Sequence, residues 1–242
     1  MQIELVVFDM AGTTVRDDGD DVGRCLRVAL EGAGVRASRD EVNAVMGLPK
    51  PEAIRAMLQL RRPRLIAEIA DRAEIERIHQ RFLALIIDHY ATSQGVAEVE
   101  GASRAFDALH DAGVRVALDT GFSRPIAQVI LERLGWARDG RIDACVTSDE
   151  VTRGRPFPEL IFEAMRRTSV RDVAAVAKVG DTPSDLQEGT SAGCSLVIGV
   201  TEGTHTAAQL RAHPHTHLVA SVEDVPELVT GWPLRPSYAR SA

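Results

Sequence analysis

Ile3-Glu4-Leu5-Val6-Val7-Phe8-Asp9-Met10-Ala11-Gly12-Thr13-Thr14 is the stretch from which the rest of the chain can be read. A short β-branched and apolar run ends at an aspartate and a Gly-Thr-Thr turn. This is the pattern of a buried central strand with a polar loop at its C-terminal end. Similar runs recur: Val114 to Leu118 leads into Asp119-Thr120-Gly121, Ala174 to Val179 into Gly180-Asp181-Thr182, and Leu196 to Val200 into Thr201-Glu202-Gly203. Between them, Ala102 to Ala112, Ile126 to Leu134 and Leu160 to Met165 have helical periodicity, the first two stopped by Gly113 and Gly135. Alternating strands and helices imply an α/β fold with a parallel, Rossmann-like sheet and right-handed crossovers. Ligands bind beyond the carboxyl ends of such strands, where Asp9, Thr120 and Asp181 would gather.

From about Asp17 to Gln94 the alternation breaks and only helical patterns remain. Val22, Cys25, Leu26, Ala29 and Leu30 form one amphipathic face closed by Gly32-Ala33-Gly34. Ser38 with Glu41 reads as a capping box, Pro51 as a first-turn proline, and Ile75, Ile78, Phe82 and Ile86 as a longer helix. The expected organisation is an α/β core of residues 1–16 and 97–242 carrying an inserted all-helical cap of residues 17–96. The tail from Trp232 to Ala242 is expected to lie outside the core.

The 242 residues are 45% hydrophobic and 26% charged, which excludes a disordered, collagenous or coiled-coil chain. A net charge of −7 without a basic tract argues against nucleic acid as a partner, and Arg61-Arg62-Pro63-Arg64 reads as a solvated loop. No apolar run approaches the roughly 18 residues that span a bilayer, so no membrane partner is expected. The N-terminus lacks a basic n-region, and Cys25, Cys145 and Cys194 form no CxxC pair. A cytoplasmic protein is expected. His213-Pro214-His215-Thr216-His217 reads as an exposed loop rather than a metal site.

In isolation, Asp9 reads as a loop cap. Gly180-Asp181-Thr182-Pro183-Ser184-Asp185 changes the weighing, because it sets another aspartate at a strand end and a further one four residues on. Carboxylates brought together at two strand ends need a cation, and a hard divalent ion with oxygen ligands, Mg2+, fits.

With these motifs in order around a helical insertion, the chain resembles the haloacid dehalogenase-like hydrolase superfamily, which transfers phosphoryl groups through an aspartyl-phosphate. The resemblance implies Asp9 as nucleophile, Thr120 as the hydroxyl on the transferring phosphoryl group, and Arg155 where most members have lysine. It implies a metal site from Asp9, the Ala11 carbonyl, Asp181 and Asp185, the last through water or as an orienting group. Gly12 and Gly121 shape turns whose amides face the phosphoryl group.

Phosphatases of this superfamily carry an acid two residues after the nucleophile, to protonate an alkoxide leaving group. Here that residue is Ala11. Either the reaction needs no proton there, another group supplies it, or the copy is degraded. The chain is similar to one branch in particular, the phosphonatases or phosphonoacetaldehyde hydrolases, whose nucleophile motif also reads Asp-x-Ala-Gly-Thr-Thr and whose cap lysine forms an imine with the substrate aldehyde. Met46-Gly47-Leu48-Pro49-Lys50 resembles the lysine segment, with Lys50 standing 41 residues after Asp9. Met46 and Gly47 would line the cap side of the site, and Arg155 is also the choice of this branch. An iminium at Lys50 would act as electron sink for C–P cleavage, which makes the missing acid unnecessary; a solvated lysine in a Pro-Lys-Pro turn is the plain alternative. Three positions depart from the branch: Ala53 replaces a histidine, Phe122 a tyrosine, and Gly19 stands nearest to a missing cysteine.

The resemblance implies a Mg2+-dependent hydrolase acting on a small phosphonate or phosphate ester, with a homodimer formed through the cap. The alternatives are a phosphomonoester phosphatase of the phosphoglycolate phosphatase type and a non-catalytic phosphoryl-binding regulator.

Overall fold

The structure is a computed structural model and describes residues 2–17, 19–61 and 68–231. Arg62-Pro63-Arg64 and the tail from Trp232 lie outside the described residues. Strand β1 (Leu5–Asp9) is followed by four helices, α1 (Asp21–Glu31), α2 (Arg39–Asn43), α3 (Lys50–Arg61) and α4 (Glu68–Thr92). Alternation then sets in: α5 (Ala102–Asp111), β2 (Arg115–Thr120), α6 (Arg124–Leu134), β3 (Ala144–Thr147), α7 (Glu159–Thr168), β4 (Val176–Gly180), α8 (Pro183–Ala192), β5 (Leu196–Val200), α9 (Ala207–Leu210), β6 (His217–Val219) and α10 (Val225–Thr230). All strand pairs are parallel, in the Rossmann-like order β3-β2-β1-β4-β5-β6.

The central strands are apolar at consecutive positions because both faces of the sheet are covered. Val6 and Phe8 of β1 point into one layer with Phe106, Val116 and Ile126, while Leu5 and Val7 point into the other with Leu160, Ile161 and Ala164 of α7. Phe8 meets Phe106 edge-on at 5.3 Å, and Phe106 meets Trp136 at 5.2 Å. The order reverses between β1 and β4, so the loops after these strands splay apart and open a crevice at Asp9 and Asp181.

The chain leaves and re-enters the sheet layer through paired segments. Arg16 N donates to Ala97 O at 3.0 Å, and Val99 N donates to Thr14 O at 2.8 Å. Helices α1 to α4 pack on one another, and α4 also lies against α6. Ile75, Ile78, Phe82 and Ile86 are the buried stripe of α4, Ser38 and Glu41 close a full capping box on α2, and Pro51 sits in the first turn of α3. No helix among the described residues is long and apolar enough to cross a membrane.

Several sequence expectations need correction. Strand β4 starts at Val176, because Ala174 and Ala175 belong to a 3-10 turn capped by Asp172. Helix α7 extends beyond Leu160 to Met165 at both ends. His217 is not in a loop; it opens the edge strand β6, paired with Ile198. Arg61 is the last residue of α3, and its guanidinium donates to Arg36 O at 2.8 Å and pairs with Glu41.

Candidate active site

Asp9 is placed by register: it ends β1 opposite Asp119 of β2, one residue before Thr120. Its Oδ1 accepts a hydrogen bond from Arg155 Nη1 at 2.6 Å. Burial pushes the Asp9 carboxyl up to about 7 against the pull of Arg155, with the negative charges of Asp185 and Asp181 adding to the rise.

Behind Asp9 lies a lattice of buried charge. Arg155, fully buried, also donates from Nη2 to Asp119 O at 3.0 Å and to the Asp119 carboxylate, and from Nε to Glu188 Oε2 at 3.0 Å. Its Nη1 stands 2.9 Å from Asp185 Oδ1. Lys178, in the middle of β4, hydrogen-bonds the Asp119 carboxylate and lies 3.2 Å from both Asp185 Oδ1 and Glu188 Oε2. Burial and the neighbouring Arg155 push the Lys178 ammonium down, but the carboxylates around it outweigh them and raise it above its ordinary range. Asp185 is further fixed by Thr182, whose Oγ1 donates to Asp185 Oδ2 at 2.5 Å in the capping box of α8.

Asp181 is different. Its Oδ1 accepts from Thr13 Oγ1 at 2.9 Å and its Oδ2 from Thr204 N at 2.6 Å, and among the described residues no cation pairs with it. Burial and the charge of Asp185 push it up to about 6. Gly12 makes its approach feasible. With φ +92° the loop turns where a side chain is strained, and a Cβ there would fall 2.4 Å from Asp181 Oδ2.

Asp9, Asp119 and Asp185 each offer an oxygen within 4.8 Å of one another. Arg155 and Lys178 already occupy that cluster, so an added cation there would face two positive charges. Asp9 and Asp181 are both held above the ordinary carboxylate range, and of the two only Asp9 pairs with a cation among the described residues. With the Ala11 carbonyl, they are the oxygens that the sequence expectation assigns to Mg2+.

Lys50 closes the site from the other side. It opens α3, is 4% exposed, and lines a small cavity of about 30 Å³ together with Asp9, Ala11, Thr120 and Arg155. Met46, Gly47 and Gly121 also line it. The loop carrying Met46 to Lys50 sits tightly on the sheet's loops, since a Cβ on Gly121 would fall 2.8 Å from the carbonyl oxygens of Gly47 and Leu48. The Lys50 Nζ lies 5.2 Å from the centre of the Phe122 ring and 5.8 Å from that of Phe82. Among the described residues it has no hydrogen-bond or ion-pair partner, and burial pushes it down to about 8. Of the three departing positions, Phe122 is thus the aromatic wall beside the ammonium, Ala53 is buried one turn after Lys50, and Gly19 is exposed before α1.

Of the candidate site residues, Asp9, Ala11, Met46, Gly47, Lys50, Thr120, Gly121 and Arg155 line one cavity, and Gly12 stands against Asp181. Asp185 is engaged by Arg155, Lys178 and Thr182. The sequence reading missed Asp119, Lys178, Glu188 and Thr204. Lys178 carried a signal, being a lone charge in Val-Ala-Lys-Val-Gly, and Glu188 follows Asp185 by three residues on the same helix face. Thr204 has none, since only the fold brings its amide to Asp181.

Residues 3–193 match the sequence profile of the haloacid dehalogenase-like hydrolases. The chain belongs to this family. A phosphonoacetaldehyde hydrolase from Bacillus cytotoxicus is 31% identical over 218 residues, covering 84% of this chain and 78% of the relative. Another from Bacteroides fragilis is 28% identical over 240 residues, covering 93% and 87%. Among solved structures, a phosphonoacetaldehyde hydrolase like protein from Oleispira antarctica superposes with a TM-score of 0.79 at 18% identity, covering 96% of each chain, which shows the common fold. This haloacid dehalogenase-like hydrolase therefore carries its acidic motifs and its lysine on a scaffold of the expected kind.

Proposed function

We propose that the chain is a Mg2+-dependent, phosphonatase-like hydrolase that cleaves the C–P bond of phosphonoacetaldehyde or a closely related small phosphonate. The observation that carries this reading is Lys50: a buried amine, pushed down to about 8 and bordered by aromatic rings, in the same cavity as the Asp9 carboxylate. A lysine that neither pairs with a carboxylate nor reaches solvent suits imine formation. Ala11 fits the same chemistry, because a carbon leaving group that departs as an enamine needs no acid beside the nucleophile.

In this mechanism the neutral Lys50 amine adds to the substrate carbonyl, the carbinolamine takes up one proton and loses water, and an iminium results. Asp9 then attacks phosphorus, the C–P electron pair moves into the iminium, and an enamine departs. Protonation at carbon and hydrolysis of the imine release the aldehyde and free Lys50, while water hydrolyses the aspartyl-phosphate. Arg155 and Thr120 hold the phosphoryl oxygens, with the amides around Gly12 and Gly121. Asp9, Asp181 and the Ala11 carbonyl would hold Mg2+, whose charge offsets the repulsion between the Asp9 carboxylate and the phosphoryl dianion. Asp185 orients Arg155 and the Thr182 turn, acting on the metal site from behind.

Residues 17–96 act in this reading as a cap over the core of 1–16 and 97–242. The small cavity beneath Lys50 would widen to admit substrate as the cap lifts. A homodimer formed through the cap and a cytoplasmic location belong to the same reading, and light scattering tests the first.

The deciding experiment is borohydride trapping. Incubation with phosphonoacetaldehyde followed by reduction is expected to leave an adduct on the peptide carrying Lys50, and Lys50→Ala is expected to lose phosphate release. Turnover that survives Lys50→Ala with no adduct contradicts the imine. Faster phosphate release from phosphate esters than from phosphonates would favour the phosphoglycolate phosphatase type instead.

A further inference from the structure

We propose that Lys178 is a positioning residue for the phosphoryl site: by neutralising Asp119, Asp185 and Glu188 from beneath, it leaves the Arg155 guanidinium free to hold Asp9. The inference rests on the reading of Asp9 as phosphoryl acceptor.

Lys178 touches neither Asp9 nor the cavity. It stands on the central strand β4, in register with Val7 of β1 and Val197 of β5, and is wholly buried. Helix α8 closes over it, since a Cβ on Gly189 would fall 2.8 Å from Lys178 Cβ. A charge in such a place is retained only if it is well paired. Its partners are the three carboxylates that Arg155 also contacts: Asp119, Asp185 and Glu188. Two cations thus serve three acids, and of the two only Arg155 reaches on to Asp9.

The division of labour follows from geometry. A guanidinium has a planar fork with several donors, so it can lie across a group of acids and still present Nη1 to a fourth. An ammonium is a point charge and sits at the centre of the three. Without Lys178, three buried carboxylates would compete for a single guanidinium. The least costly response is for Arg155 to move toward Asp119 and Glu188 and away from Asp9. Asp185, released on one side, would no longer hold the Thr182 turn beside Asp181. Lys178 would therefore act on phosphoryl binding and transfer through Arg155 and Asp185, with no contact of its own to the substrate.

The test uses the full chain with Lys178→Met, which keeps the side chain's bulk and removes its charge, and with the double variant Lys178→Met/Glu188→Gln, which removes one charge of each sign. Three readouts are taken: thermal melting, calorimetric titration with inorganic phosphate in the presence of Mg2+, and hydrolysis of acetyl phosphate, whose acetate leaving group needs neither Lys50 nor a proton donor. Lys178→Met is expected to melt earlier, to lose phosphate affinity, and to lower kcat by about 100-fold, the scale of removing one preorganised electrostatic group. The double variant is expected to regain both melting temperature and about 10-fold of that kcat, because the remaining acids again match the remaining charge. If Lys178→Met does not fold, the folded double variant carries the comparison with wild type.

A folded Lys178→Met that binds phosphate and turns over acetyl phosphate like the wild type overturns the proposal. So does a double variant that regains its melting temperature but not its kcat, since Lys178 would then not act through charge balance. A wild-type protein that neither binds phosphate nor hydrolyses acetyl phosphate would instead remove the reading of Asp9 on which the proposal stands.

Discussion

Two buried lysines stand on opposite sides of Asp9, and their surroundings send them in opposite directions. Lys178 lies among Asp119, Asp185 and Glu188, which outweigh burial and keep it charged. Lys50 lies beside Phe82 and Phe122, and burial outweighs the pull of the Asp9 carboxylate, so its ammonium is pushed down to about 8. The sheet supplies a permanent charge behind Asp9, out of reach of the cavity, and the inserted helices supply an amine in the cavity that can lose its proton. Burial alone does not decide what a lysine does; the groups within hydrogen-bond reach decide it.

The contrast is open to direct attack through stability, where the two lysines should differ in sign. Lys178→Met leaves three carboxylates sharing one guanidinium and is expected to destabilise the fold by about 3–5 kcal/mol, measured by urea unfolding. Equal stability of this variant and the wild type would remove the distinction. Lys50→Met is expected to stabilise the protein at pH 7 by about 3 kcal/mol, the equivalent of a pKa lowered from 10.5 to about 8, while abolishing imine formation. A destabilised Lys50→Met would mean that the ammonium has a favourable partner in the folded chain.

The pH dependence sharpens the same point. Because the folded-state pKa of Lys50 is depressed, its burial penalty is fully present below about 8. The penalty is relieved between about 8 and 10.5, where the unfolded chain still holds the proton and the folded chain has released it. Wild-type stability relative to Lys50→Met should therefore rise across that window, followed by unfolding at fixed temperature. The smallest expected effect lies away from both lysines: Ser38→Ala removes the capping box of α2 and should cost about 1 kcal/mol without moving the pH dependence of either variant.

The parts of the fold that could be read from sequence are those in which local pattern and tertiary role agree. Strands β1, β2 and β5 are continuous apolar runs because both faces are covered, and the loops after β1, β2 and β4 announce the crevice with aspartates and glycines. Strand β3, Ala144–Thr147, has four residues, and β6, His217–Val219, has three at the sheet edge, too short for a period to show. Helix α8 was hidden because its sequence, PSDLQEGTSA, is largely polar, with Asp185 and Glu188 turned inward to the cations. Asp9, Lys50, Arg155 and Asp181 were legible as motif positions. That among the described residues Asp181 lacks a cation while Asp185 has two, and that Lys178 and Arg155 share their acids, are facts of long-range placement that no local spacing encodes.

The central claim, that Lys50 is a buried amine poised to lose its proton beside a phosphoryl-accepting aspartate, is tested most directly by the pH dependence of its trapping. Initial rates of borohydride-trapped adduct on the Lys50 peptide, with phosphonoacetaldehyde as substrate, should rise with pH and level off with a midpoint near 8. A midpoint at the ordinary lysine value near 10.5, or an adduct spread over other lysines with none on Lys50, would contradict the account.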